Sequence, residues 1–248
     1  MNLLYELRPV LWDEWTLFRR NFVKITISAM ISPILYIIAF GLGVSGGSSL
    51  SGISYLKFLL PGIIALTTMN ASYKAISVKL ITNRVYDQTF EQYLIAPISI
   101  FSFTLGKAIA GALRGMYGGF LIIVIGLFFD IRLNINIWFL LLMFLNGLTF
   151  ACLGMLGAML AKSHADMNRF GTYVMLPMTF LCGTFFSTSQ LPVLIRQFIG
   201  LLPLTHMSQM LRNIVTYQPF YLGSVLVVIA YLILFFTLAY RKCLKIST

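Results

Sequence analysis

The sequence predicts an all-α integral membrane protein: six transmembrane helices in a single domain over residues 1–248, an amphipathic interfacial helix at the N-terminus, a short amphipathic helix in one cytoplasmic loop and a broken-helix hairpin on the extracellular side. Three observations predict it. Of the 248 residues 59% are hydrophobic and only 10% charged, with a mean hydropathy of +0.89, outside the range of water-soluble domains. Apolar runs of about 20 residues, the length of helix that a bilayer core of roughly 30 Å takes, fill the chain about six times. Lys and Arg gather at the ends of those runs. That clustering gives the formal charge of +11 a topological meaning, and nucleic-acid binding is set aside.

Residues 1–23 place Leu4, Leu7, Leu11, Trp15, Phe18 and Phe22 on one helical stripe, with Asp13, Glu14, Arg19 and Arg20 mostly away from it. This is the pattern of a helix lying in the membrane interface, Trp12 and Trp15 at headgroup depth. The first span runs from about Lys24 to Gly43 and contains Pro33. Gly41, Gly43 and Gly46 then spell G-x-G-x-x-G, but no strand precedes them and no acid follows at the required distance, so a dinucleotide cradle is rejected for a flexible loop. The second span, about Phe58 to Leu80, opens with Pro61-Gly62 and carries Lys74 and Lys79 toward its far end, where long side chains snorkel.

Lys79 to Lys107 is the longest polar interval. Within it Tyr86, Phe90, Tyr93 and Leu94 fall on one face of a short helix over 84–96, opposite Arg84, Asp87, Gln88, Glu91 and Gln92. Pro97 stops that helix, because it disfavours the α conformation before it and has no N–H to donate. The third span, about Phe103 to Phe128, is rich in glycine (Gly106, Gly111, Gly115, Gly118, Gly119), which lets a neighbouring helix approach closely. Arg114 lies about two turns inside it. It is either a functional charge in the membrane or a side chain that snorkels toward Lys107.

A polar turn, Asp130 to Asn136, leads to the fourth span, about Ile137 to Ala161. Lys162, His164, Asp166 and Arg169 make the next loop; two ligands there, with His206 as the only other histidine, make no metal or catalytic site. The fifth span, about Phe170 to Phe186, carries Pro177. Residues 187–218 are too apolar for an ordinary loop and too interrupted, at Pro192, Gly200 and Pro203, for a span, which predicts two half-helices dipping into the membrane surface. The last span, about Leu222 to Tyr240, ends in Arg241, Lys242 and Lys245.

With the N-terminus cytoplasmic, twelve basic residues near span ends lie inside and four (Lys57, Arg132, Arg196, Arg212) outside, so both termini and the polar interval are cytoplasmic. The first apolar run follows a Trp- and Arg-bearing segment and is long enough to span, so it is not read as a cleavable signal. Cys152, Cys182 and Cys243 are far apart and apolar in context, with no CxxC pair. Asp87, Glu91 and Asp166 fall in cytoplasmic loops and Asp130 in the outer one. No buried acid is then expected for a membrane-embedded enzyme or a proton- or sodium-coupled transporter.

The whole pattern resembles the membrane subunit of a bacterial ABC exporter of the type-2 class, the permeases for drugs, lipo-oligosaccharides and polysaccharides. The resemblance rests on the interfacial helix, Leu60-Pro61-Gly62, Glu91, Leu94, Pro97 and Ser99 followed by Gly106-Lys107, and Leu202-Pro203-Leu204-Thr205-His206 with Arg212. It implies that 84–96 is a coupling helix docking on a separate ATP-binding subunit, with Tyr86, Phe90, Glu91, Leu94 and Pro97 at or beside the contact. It implies that 187–218, with Pro192, Pro203, His206 and Arg212, shapes an extracellular gate, and it makes Arg114 a candidate for the substrate path. Two ATP-binding subunits and a second permease chain, identical or homologous, are implied partners, in the bacterial inner membrane. No G-x-x-x-x-G-K-[ST] is present, so ATP and Mg are expected in the partner and no cofactor or catalytic residue in this chain.

Overall fold

The computed structural model describes residues 3–42, 55–87, 93, 95, 96, 98–129, 131, 133–186, 191–219 and 221–247. Among them every regular element is helical. In chain order they are α1 (Leu3–Arg20), α2 (Phe22–Tyr36, continued by a π-helical stretch Ile37–Leu42), α3 (Tyr55–Val85), α4 (Ile100–Phe128) and α5 (Ile137–Leu160). Next come α6 (His164–Phe170), a π-helical stretch Gly171–Met175, α7 (Leu176–Leu181), α8 (Val193–Gly200), α9 (Pro203–Val215) and α10 (Leu222–Ser247).

Four helices among the described residues are long and apolar enough to cross a membrane: Phe22–Phe40, Ile100–Phe128, Ile137–Leu160 and Leu222–Lys245. The second expected span is a helix of 31 residues, α3, about 46 Å long at 1.5 Å per residue. It is less apolar, and its polar residues are housed by protein. Ser72 and Ser77 are fully buried in it, and it packs against both α4 and α5 as the centre of the bundle.

The fifth expected span, about Phe170 to Phe186, is not one helix. Its first turns begin earlier, at His164, because Ser163 caps them by accepting from Asp166 N at 3.1 Å. Such an S-x-x-D arrangement satisfies the free N–H groups of a helix start. His164, Asp166 and Arg169 are therefore helical, where a polar loop was expected. The helix ends early, at Leu181, since Gly183 takes a φ of 73°, a left-handed conformation that glycine accepts without strain.

Small residues set the spacing of the centre. A Cβ added to Gly115 would stand 1.9 Å from Ser72 Oγ and 2.7 Å from the Thr68 carbonyl oxygen. Such contact requires α3 and α4 to run backbone to backbone. The antiparallel register is continuous, Gly126 against Leu60, Gly118 against Ala71 and Gly111 against Ile76.

Candidate functional site

The same register brings the end of α3 and the start of α4 to one level, each with a lysine there. Lys79 (α3) and Lys107 (α4) meet Asp13 and Glu14 of α1. Lys107 Nζ lies 2.5 Å from Glu14 Oε1 and 3.5 Å from Asp13 Oδ2; Lys79 Nζ lies 2.5 Å from Asp13 Oδ2 and 3.3 Å from Glu14 Oε1. Tyr93 donates its hydroxyl to Asp13 Oδ2 at 2.6 Å. Lys107 Nζ sits 5.2 Å from the Tyr93 ring centroid and 5.6 Å from that of Phe103, within cation–π range. Only 2% of the Lys107 side chain and 6% of Glu14 are exposed, so this pair is shielded from water and salt. Burial pushes the Asp13 carboxyl up, yet hydrogen bonds from Lys79 and Tyr93 and the Lys107 charge outweigh it and hold the group below its ordinary range.

The buried acids correct an expectation. Glu6, Val10 and Glu14, one turn apart, face the protein, while Trp12 and Trp15 are mostly exposed on the other side of α1. The stripe is divided: Leu7 is buried beside Gly106 of α4 and Phe18 and Phe22 pack on Tyr117, while Glu6 and Glu14 share the buried side with them and the tryptophans turn outward. Glu6 accepts from Ser99 N at 3.0 Å and Ser99 Oγ at 2.6 Å. Hydrogen bonding by Ser102 and Ser99 holds its carboxyl down to about 2, and a carboxylate at the start of α4 also complements the helix dipole. One sequence signal pointed here: three of the seven acidic residues of the chain, Glu6, Asp13 and Glu14, occur within its first fourteen positions.

The polar interval is thus anchored at both ends. Arg84 donates to the carbonyls of Met159 and Ala161 at the end of α5, where a cation meets the negative end of a helix. Tyr86 stacks on His164, centroids 4.6 Å apart and planes 16° apart. Tyr93 closes the far side through Asp13. Phe90, Glu91, Leu94 and Pro97 lie outside the described residues.

At the opposite end of the bundle Arg212 of α9 donates through Nε to the Phe58 carbonyl at 3.1 Å and through Nη2 to the Gly183 carbonyl at 3.2 Å, its guanidinium 3.6 Å from the Phe58 ring centroid. Tyr55 donates to the Phe185 carbonyl at 2.9 Å and Ser208 to that of Cys182 at 3.1 Å. Pro192 precedes α8, Pro203 is the first residue of α9, and His206 Nε2 donates to the Gly200 carbonyl at 2.8 Å. Arg212 thereby staples the α8–α9 pair to the start of α3. Arg212→Gln is expected to lower the unfolding free energy by about 1.5–3 kcal/mol, the worth of one charged hydrogen bond, read as thermal unfolding in mild detergent; an unchanged transition refutes the staple. Arg114 is hydrogen-bonded to neither cluster; it is half-buried on α4, its guanidinium carbon 5.9 Å from the Phe18 ring centroid and within reach of the Glu14 charge.

Comparison with known proteins agrees over most of the length. The model of the family described as "ABC-2 type transporter" matches residues 5–216. The chain is 28% identical over 211 residues to "Inner membrane transport permease YadH" of Escherichia coli (strain K12), covering 84% of this chain and 82% of that protein. It is 30% identical over 217 residues to "Nodulation protein J" of Rhizobium leguminosarum bv. viciae, covering 82% of each. A "Nodulation protein J" of Bradyrhizobium diazoefficiens is 29% identical over 216 residues, covering 81% of this chain and 80% of that one.

Proposed function

The chain belongs to the ABC-2 type transporter family, and from that premise we propose that it is the membrane subunit of an ATP-driven exporter, coupled through residues 84–96 to a separate ATP-binding subunit. The observation that carries this reading is the clamp of Asp13, Glu14, Lys79, Lys107 and Tyr93. A loop that receives force from a soluble motor needs a stiff base, and this one is tied to α1, α3 and α4 together. Tyr86, Phe90, Glu91, Leu94 and Pro97 form or flank the contact. ATP binding draws two motor subunits together, their motion tilts the spans, and a path opens between this chain and a second permease chain, identical or homologous. ATP and Mg stay with the motor, so this chain carries transport without its own catalysis.

Six crossings follow when α3 and the run from α6 to α7 are added to the four apolar helices. The surroundings are a bacterial inner membrane, as the name of the Escherichia coli relative says of that protein, with both termini cytoplasmic and the α8–α9 pair as the extracellular gate. The cargo class is an amphipathic, drug-like or lipid- or glycan-linked molecule, which covers multidrug efflux as well as glycolipid or polysaccharide export. The test is purification of the tagged chain in mild detergent from its native host. A stoichiometric ATPase is expected with the wild type and lost with Phe90→Asp or Glu91→Arg; an ATPase that stays with both variants removes the coupling assignment, and none with the wild type removes the motor.

A further inference from the structure

Arg114 holds a position that the clamp does not explain. It lies seven residues beyond Lys107 on α4, about 10 Å deeper at 1.5 Å per residue, inside a segment apolar enough to cross a membrane. Among the described residues it makes no hydrogen bond and no ion pair; the Phe18 ring lies 5.9 Å from its guanidinium carbon, and the Glu14 carboxylate, already held by Lys107 at 2.5 Å, reaches it only as a longer-range charge. Every other cation at the buried face of this bundle is matched: Lys107 by Glu14, Lys79 by Asp13, Arg212 by carbonyls. A charge at membrane depth is costly, and it persists where something complements it.

A second cation shares its level. Gly118 and Ala71 touch across the α3–α4 seam; Arg114 is one turn from Gly118, and Lys74 is one turn from Ala71 in the same direction, because the helices are antiparallel. Lys74 is exposed and has no hydrogen bond or ion pair among the described residues. Beside them the walls are amphipathic. Phe18 packs edge to face on both Phe22 and Tyr117, whose own rings are tilted to each other, with centroids 5.1–5.7 Å apart, and the hydroxyls of Thr26 and Tyr117 lie 2.7 Å apart. Outward of them Leu113 and Phe120 are more than half exposed on the same helix. Two cations without a directly bonded anion, next to aromatic and hydroxyl groups and opening onto an acyl-facing surface, have the chemistry of an anionic headgroup site; the guanidinium fork fits two phosphate oxygens at once.

We propose that Arg114 and Lys74, walled by Phe18 and Tyr117, bind the phosphate of an anionic amphiphile that reaches the α1–α4 flank laterally from the bilayer. The proposal takes from the membrane-subunit reading only the placement of α4 in lipid, and its test involves no ATPase, so either reading can fail alone.

The full chain is reconstituted in phosphatidylcholine nanodiscs, and the protein-bound fraction of spin-labelled phosphatidylglycerol is compared with that of spin-labelled phosphatidylcholine. Salt is held at about 0.5 M, where the surface cations are screened over a few ångströms and a half-buried site is not. The wild type is expected to keep its preference for the anionic lipid. Arg114→Gln is expected to lower that preference about fivefold, the change that about 1 kcal/mol gives. Lys74→Gln lowers it less, Arg114→Lys retains part, and Arg20→Gln, at the exposed end of α1, leaves it alone. A preference that survives in both Arg114→Gln and Lys74→Gln, or that vanishes from the wild type at this salt, overturns the site. Dodecyl phosphate then separates the sources: displacement of the label assigns the site to single-chain phosphate amphiphiles, and no displacement assigns it to two-chain bilayer lipid.

Discussion

Lys107→Met is expected to destabilise the folded chain by about 3 kcal/mol or more, the range for a buried ion pair that loses one partner. Methionine fills most of the same volume, so packing is not the cause. The cause is Glu14, left 6% exposed without its 2.5 Å partner. Lys79 remains 3.3 Å from Glu14 and limits the loss. Lys79→Met itself, with the lysine side chain 20% exposed and Asp13 38% exposed, should cost about 1 kcal/mol or less. The double variant Glu14→Gln/Lys107→Met should recover part of the loss, because no charge then remains stranded. Thermal unfolding of the wild type, Lys107→Met, Glu14→Gln and the double variant in one detergent reads the cycle. Strict additivity would mean that the two side chains do not stabilise one another, and the clamp would lose its role as a stiff base.

Gly115→Val should be the most damaging single change in the helical centre. Its Cβ would overlap Ser72 Oγ at 1.9 Å and press on the Thr68 carbonyl oxygen at 2.7 Å. Ser72 Oγ is itself held to that carbonyl at 2.8 Å, so it has little freedom to swing away. The backbones of α3 and α4 must separate, and overpacking of this kind costs about 1–3 kcal/mol or more. Separation would also loosen the Gly111 and Gly119 contacts on either side. Gly223→Ala, at the start of α10 with nothing within 4 Å of the added Cβ, serves as the control. The expected readout is loss of the monodisperse gel-filtration peak for Gly115→Val and an unchanged peak for Gly223→Ala. Equal behaviour of the two proteins would rule out the close approach.

What could be read from the sequence was whatever local spacing encodes. The glycines from Gly106 to Gly119 announced a close neighbour, and the apolar runs announced α2, α4, α5 and α10. The cap at Ser163 was equally visible as S-x-x-D, but the charges after it suggested a loop. Pairings between distant positions were not legible: Glu14 meets Lys107 across 93 residues, and no periodicity in either segment points to the other. The centrality of α3 was hidden for a related reason. A helix surrounded by protein can hold serines and an asparagine contact, such as Asn146 Nδ2 donating to the Ala65 carbonyl at 2.8 Å, so α3 looks less like a membrane span than the little-buried α2 and α10 do. The left-handed turn at Gly183 likewise depends on what surrounds it, since glycine at 200 and 223 is helical.

The clamp joins two lysines to two carboxylates, so it carries no net charge. A charge that crosses the whole membrane field gains or loses about 2.3 kcal/mol per 100 mV, and a neutral group of four feels almost none of that. The base of the polar interval is therefore electrically silent: α1 stays tied to α3 and α4 with the same strength in energised and de-energised cells.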